Sequence, residues 1–285
     1  MISIRILDTP EEMKEVEDLQ RLVWPDCETD VIPVHLLVTA AHNGGLVLGA
    51  YQDDKMVGML FGFAGLYYTP DGPRPKHCSH QMGVHPNARN SGVGFALKRA
   101  QWQMIRQQGL DRITWTYDPL LSRNGHLNIG QLGAVCNTYM REVYGEMRDG
   151  LNVGLASDRF QVDWWINTRR VEGYLGERKH PALTMVDIEE AACQNLYPVG
   201  LRDGFIRPAG PLASPQGNLL VAEIPADFLK LKAADFELAK EWRVFSREVF
   251  ETSFSAGYLV TDFIYDTSRD RPRSFYLLTY GEATL

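Results

Sequence analysis

The stretch GVHPNARNSGVGFALKRAQ, Gly83–Gln101, decides the fold. An apolar strand runs out at Val84 and Pro86, a polar loop follows, and Gly92 and Gly94 lead into a helix with apolar residues at helical spacing. Unpaired N–H groups in the first turn of a helix, together with its dipole, favour negative charge, and glycines let a phosphate approach the backbone closely. The junction therefore reads as an anion cradle. Three phosphate patterns compete for it. A Walker-type loop ends in Gly-Lys-Ser/Thr, but Gly94 is followed by Phe95. A dinucleotide fingerprint needs a third glycine where Leu97 stands, and it belongs to a βαβ start that this chain lacks. The third pattern, Arg-x-x-Gly-x-Gly, is met by Arg89, Gly92 and Gly94. A glycine-rich helix start without any ligand is the alternative.

The bulk properties set the frame. A chain of 285 residues is long for one domain, and 45% hydrophobic residues suffice for a packed core. A net charge of -7 argues against a nucleic-acid partner. Cys27, Cys78, Cys136 and Cys193 form no Cys-x-x-Cys pair, and the histidines show no ligand spacing, so no metal is expected. With no secretory h-region after Met1 and no apolar run long enough to span a bilayer, the expectation is a soluble cytoplasmic protein with no membrane partner.

Outward from the loop, the chain reads as an α+β protein. ISIRIL has strand composition, and Thr9, Pro10 and Glu12 open a helix over 10–24 with Met13, Val16, Leu19 and Val23 inward. A short helix over 33–40 precedes a hairpin from Gly44. In its second arm Val57, Met59, Phe61 and Phe63 alternate with Gly58, Leu60, Gly62 and Ala64, giving a bulky face and a slim face on which something packs closely. HCSHQMGV is the strand before the loop. The loop's helix runs to about Gln108 with Val93, Leu97, Ala100 and Met104 on one face, and RITWTY is the next strand. A helix over 125–132 and strands over 134–144 and 159–166 follow. Residues 171–218 show no clean period. The end, NLLVAEI, a helix over 235–251, GYLVTDFIY and SFYLLTY, is a strand–helix–strand–strand unit.

The Arg-x-x-Gly-x-Gly loop after the fourth strand resembles that of the GNAT (Gcn5-related N-acetyltransferase) superfamily, over about residues 1–170 in element order. The resemblance implies a mostly antiparallel central sheet flanked by helices, with acyl-CoA as co-substrate. It implies a catalytic domain over 1–170 and a C-terminal extension over 171–285, read as a degenerate GNAT-like half. Arg89, Asn90, Ser91, Gly92, Val93, Gly94 and Phe95 would cradle the pyrophosphate, and Met82, Gly83 and Val84 would run beside the pantetheine arm. Asn124 or Asn128, on the helix after the fifth strand, would hydrogen-bond that arm. A splay between neighbouring strands would free amides to polarise the thioester carbonyl. His80, four residues before Val84, matches the strand position of a catalytic histidine in arylalkylamine acetyltransferases and is the candidate base. A His that binds substrate or fills the sheet face is the other reading. The family's tyrosine acid would stand four residues before Gly133, where this chain has Ile129. Tyr139 or Tyr144 are substitutes, and transfer without an acid stays open.

Cys78 shares a strand face with His80, which admits an acyl-cysteine route beside the simpler reading of a small hydrophobe. Asp118 ends a strand or serves function, Asp158-Arg159 is a salt bridge or a substrate anchor, and one of Trp164 and Trp165 is core while the other lines the acceptor side. The pattern DPLLSRNGHLNIGQLGAVCNTYMREVYG, followed by LNVGLASDRFQVDWW, resembles long GNAT-like proteins encoded with N-acylamino-acid racemase and o-succinylbenzoate synthase-like genes. That branch implies acetyl or succinyl transfer by direct attack of a small-molecule amine, an amino acid above all. Arg74, Lys76, Arg123, Arg141 and Arg159 are the cations available for a succinyl terminus. A noncatalytic acyl-CoA-binding module is the alternative, and a homodimer is left open.

Overall fold

The computed structural model describes residues 2–25, 28–147, 152–176, 183–268 and 270–281, so Cys27 lies outside the described residues. Two compact units result: Met1–Trp115 with Trp165–Asn167, and Thr116–Trp164 with Thr168–Leu285.

The first unit holds β1 (Ser3–Ile6), α1 (Pro10–Val23), α2 (Val34–His42), β2 (Leu46–Gln52), β3 (Lys55–Thr69), β4 (Gly72–Val84), α3 (Val93–Gln107) and the first residues of β5 (Arg112–Tyr117). Thr9 and Glu12 close a reciprocal capping box at the start of α1: Glu12 N donates to Thr9 Oγ1 and Thr9 N to Glu12 Oε2. Met13, Val16 and Leu19 of this helix pack with Leu37 of α2 and with Met59 and Phe61 of β3. The sheet runs β1-β2-β3-β4-β5, antiparallel until the last pair, where β5 lies parallel to β4. The slim face of β3 has the expected use. A Cβ on Gly58 would come within 2.6 Å of Val93 on α3, and one on Gly62 within 2.2 Å of His77 Nε2. The inward face of α3 is rotated from the expected one. Val93 and Leu97 are buried with Gln101, Trp102 and Ile105, while Ala100 and Met104 stand at its margin. Trp102 anchors that rotation by donating Nε1–H to the Ile166 carbonyl at 2.9 Å.

The second unit holds α4 (Ser122–Gly125), a π-helical turn (His126–Gln131), β6 (Val135–Met140), β7 (Arg159–Trp165), α5 (Arg169–Leu175), α6 (Met185–Glu190), β8 (Gln194–Asn195), β9 (Val199–Arg202), β10 (Phe205–Pro208), β11 (Leu219–Ile224), α7 (Phe228–Ala234), α8 (Phe236–Ser255), β12 (Tyr258–Asp266) and β13 (Arg273–Tyr280). Its sheet runs β7-β6-β12-β13-β11-β8, and β9 and β10 form a separate hairpin. Residues 116–164 group with the C-terminal strands because β6 pairs with β12, Cys136 opposite Val260. This division differs from a boundary at residue 170. The helix expected over 125–132 is a short α-turn continued as a π-turn, and Gly125 lets it approach Phe263 and Tyr276, whose atoms a Cβ would meet at 2.6–2.8 Å. Leu238, Trp242, Val249 and Phe250 of α8 are fully buried, and Trp242 Nε1–H reaches the Ile206 carbonyl at 2.8 Å. Among the described residues no helix is long and apolar enough to cross a membrane.

Candidate active site

β4 departs from regular pairing with β3. Phe61 pairs with Gln81 and Gly62 with Ser79, so His80 is the extra residue of a β-bulge. Past such a bulge the strand continues with its faces exchanged. Cys78, opposite Phe63, and Gln81, opposite Phe61, therefore share the bulky face of β3 with His80. The His80 ring lies 5.9 Å from Phe61, edge to face, and 5.7 Å from Phe63. It reaches solvent, yet the protein around it desolvates the imidazole and lowers its pKa below the ordinary 6.5. A histidine so placed is neutral near pH 7, the state a proton acceptor requires.

Among the described residues β5 pairs with β4 only through Ile113 opposite His77 and Thr114 opposite Cys78. From Ser79 to Val84, β4 is paired with β3 alone among the described residues, and its outward amides meet no described strand. Met82 and Val84 are half-buried and Gly83 is buried. The absent side chain of Gly83 makes room for α1, since a Cβ there would stand 3.0 Å from the Trp24 indole and 3.3 Å from Val23. Trp24 thus packs closely on that face of Gly83.

The loop itself is tightly turned. Pro86–Ala88 form one 3-10 turn, Ser91 Oγ donates to the Ala88 carbonyl at 2.6 Å, and Asn90 and Gly92 adopt left-handed φ of 64° and 85°. Gly92 caps α3 without any side-chain hydrogen bond, and a Cβ on it would meet nothing within 4 Å. Ala96 N bonds back to the Gly92 carbonyl at 3.0 Å, while the amides of Val93 and Gly94 at the helix start find no partner among the described residues, and Arg89 of the same loop is exposed. The residues present fit a pyrophosphate.

Behind the bulge lies a buried polar group that the sequence did not reveal. Lys98 of α3 donates to Ser79 Oγ at 2.8 Å and Gln101 Oε1 at 3.2 Å, with its ammonium 3.6 Å from the Trp115 ring centroid. Burial pushes this amine well below its usual range. His77 is fully buried, neither ring nitrogen has a hydrogen-bond partner among the described residues, and desolvation with the nearby Lys98 pushes its pKa down to about 3. The unit also sets Trp165 edge to face against Tyr67, ring centroids 6.0 Å apart, with Arg112 over both.

The other sequence-derived candidates belong to the second unit. Asn124 is half-buried on α4. Asn128 is buried in the π-turn, where its carbonyl accepts from Ala134 N at 3.1 Å and its carboxamide makes no hydrogen bond among the described residues. Ile129 is fully buried. Tyr139 donates to Asp158 Oδ2 at 2.9 Å and Tyr144 bonds Thr116 at 2.6 Å, so both substitute acids have local partners. Asp158 is not bridged to Arg159. Burial raises its pKa, but Arg247, in bidentate contact at 2.9 and 3.0 Å, and the Glu142 amide outweigh that and hold it below the usual value. Arg159 bonds the Asp158 carbonyl and Asn152 instead. Asp118 forms a buried two-point pair with Arg243 and accepts from Leu120 N, a structural role. Trp164 is core, donating to the Leu132 carbonyl, and Arg141 is engaged by Glu251. No group of His, Cys, Asp and Glu suited to a metal occurs among the described residues.

Residues 9–123 match the acetyltransferase (GNAT) family. The match spans less than half of the 285 residues, and the fold it covers is the GNAT acetyltransferase fold, mixed α and β with a mostly antiparallel sheet flanked by helices. Similar solved structures include a putative GNAT-family acetyltransferase from Desulfovibrio desulfuricans, 18% identical over 58% of this chain and 99% of that one, with TM-score 0.44. The ribosomal-protein-S18-alanine N-acetyltransferase of Escherichia coli is 15% identical over 64% of this chain and 100% of its own, with TM-score 0.45. An N-acetyltransferase from Staphylococcus aureus Mu50 is 12% identical over 59% and 99%, with TM-score 0.45. No curated protein sequence matches the chain.

Proposed function

We propose that the protein is an acyl-CoA-dependent N-acyltransferase that moves an acetyl or succinyl group directly to the amine of a small molecule, with an amino acid as the acceptor class. The observation that supports this reading is the β4–α3 junction. A bulged histidine, a run of β4 amides without a β5 partner and an uncapped helix start with two left-handed residues follow one another within sixteen residues, His80 to Phe95.

In this reading the thioester of acyl-CoA supplies the activated acyl carbon. The N–H groups of Val93 and Gly94, with Arg89, hold the pyrophosphate, while Asn90, Ser91, Gly92 and Phe95 shape the loop. Amides of β4 between Ser79 and Val84 face the developing negative charge on the carbonyl oxygen, and Met82, Gly83 and Val84 border the arm. His80 Nδ1 or Nε2 takes the proton from the attacking amine, and the lowered pKa keeps that nitrogen free. The thiol can leave as thiolate, because its ordinary pKa is about 8.5. Arg74 and Lys76, on the same strand, are the cations near at hand for a succinyl terminus.

The test is thiol release from acetyl-CoA and succinyl-CoA with a panel of amino acids and amines, run beside thermal shift with each CoA ester. Turnover supports the enzyme reading. A thermal shift without turnover on any amine supports the second reading, a noncatalytic acyl-CoA-binding module, which the aliphatic Ile129 at the family's tyrosine position favours.

A further inference from the structure

The helix of the glycine loop and the strand of the bulged histidine meet through a buried polar contact. Lys98 on α3 donates to Ser79 Oγ at 2.8 Å and to Gln101 Oε1 at 3.2 Å, and its amine lies 3.6 Å from the Trp115 ring centroid. Lys98, Ser79 and Gln101 are all buried. Packing alone asks for no amine here. A thioether side chain of similar length would fill the same space without the desolvation that pushes Lys98 well below its usual pKa. An amine buried at that cost and aimed at a strand hydroxyl implies that the place of that strand residue matters.

Ser79 stands next to the extra residue of the bulge, opposite Gly62, with its hydroxyl toward α3. Among the described residues, pairing with β5 stops at Cys78, one residue before it. A bulge formed one residue earlier would leave Ser79 unpaired and set His80 opposite Gly62. That register turns the imidazole to the α3 face, away from Phe61 and Phe63. Held by Lys98, Ser79 stays opposite Gly62, and His80 is the residue left over. We infer that Lys98 is a positioning residue for His80: its hydrogen bond to Ser79 Oγ fixes the bulge at position 80 and so keeps the imidazole against Phe61 and Phe63. The inference rests on the proposed N-acyl transfer with His80 as its base.

The experiment uses the full chain, thiol release from acetyl-CoA with the best amine of the panel, and NMR of the histidine ring protons. Lys98→Met keeps the apolar stem and removes the donor. It should lower kcat by about 10- to 100-fold, the scale of a misplaced reacting group, while KM for acetyl-CoA stays within about twofold. Ser79→Ala removes the acceptor from the strand side and should do the same, and it carries the test if Lys98→Met does not fold. The double variant should be no slower than either single one, because both break one contact. The His80 signals, assigned by their absence in His80→Gln, should shift in the folded variant as the ring leaves Phe61 and Phe63, which lost stability alone would not cause. Unmoved His80 signals, or losses that multiply in the double variant, overturn the inference and leave N-acyl transfer standing. Shifted signals with kcat unchanged remove His80 as the base, and the inference with it. If the wild-type chain releases thiol with no amine, N-acyl transfer fails, and the NMR shift alone decides whether Lys98 holds His80.

Discussion

The buried His77 allows a stability prediction that can be worked through to a number. Its side chain is fully buried, both ring nitrogens are unbonded among the described residues, and its pKa in the folded chain is pushed down to about 3 by desolvation and Lys98. In the unfolded chain the same group titrates near 6.5. The unfolded state therefore binds the proton first as pH falls, and stability drops from about pH 6.5 downward until the folded pKa is reached. At about 1.4 kcal/mol per pH unit, the loss between pH 6.5 and pH 4 is about 3 kcal/mol from this one residue. His77→Leu removes the titration while keeping an apolar side chain in the space beside Gly62. At pH 7 the variant should be close to neutral, because replacing an unbonded buried polar group with an apolar one costs little. Urea denaturation of both proteins at pH 7, 6, 5 and 4 isolates the effect. The contributions of His80 and His126 appear in both proteins and cancel in the difference. The variant should gain about 3 kcal/mol relative to wild type over that range. A difference that stays flat with pH would mean that His77 finds a proton partner when folded, and the reasoning would fail.

Three further perturbations follow from the geometry. His80→Gln should lower kcat/KM about 10²–10⁴-fold and abolish the acid limb of the pH–rate profile; because desolvation lowers the His80 pKa, that limb lies below pH 6.5 in wild type. An unchanged limb in the variant would assign the base elsewhere. Asp118→Ala leaves Arg243 buried without its carboxylate and should cost about 3–5 kcal/mol in urea unfolding, whereas a loss under 1 kcal/mol would mean that the pair is solvated. Gly92→Ala meets no neighbour but forces a side chain into a left-handed φ of 85°, so stability should fall by about 1–2 kcal/mol, with weaker acetyl-CoA binding in calorimetry. Full retention of both would show that the loop's conformation is not the one used.

The order of elements up to Tyr117 was legible because local signals write it: Thr9-Pro10-Glu12 for a helix start, alternation for β3, glycines before α3. The strand–loop–helix junction over 84–93 was legible for the same reason. The bulge at His80 was not, since HCSHQMGV alternates as well in one register as in another and only the pairing with Phe61 and Gly62 shows the slip. Strict alternation still put Cys78 and His80 on one face, as the structure has it. Phe61 and Phe63 were visible as a bulky face without a hint that Phe63 stays exposed. The Lys98–Ser79 contact joins residues nineteen apart on two elements, and a lysine within an amphipathic helix reads as solvent-facing until its rotation is known. Grouping of residues 116–164 with the C-terminal strands depends on Cys136 meeting Val260, more than a hundred residues away, and no local pattern encodes that.

The slim face of β3 has a bearing on how this molecule would tolerate change. Val93, the first residue of α3, lies where a side chain on Gly58 would be, at 2.6 Å, and Leu97 follows at 3.1 Å. The height of the start of α3, the proposed anion cradle, above the sheet is thus set by an atom that is missing from a strand thirty-five residues upstream. Any side chain at position 58 must lift the start of α3, and the resulting defect would surface as weakened donor binding rather than as a lost fold. In a saturation scan, a glycine that touches no ligand would then behave like a ligand-binding residue.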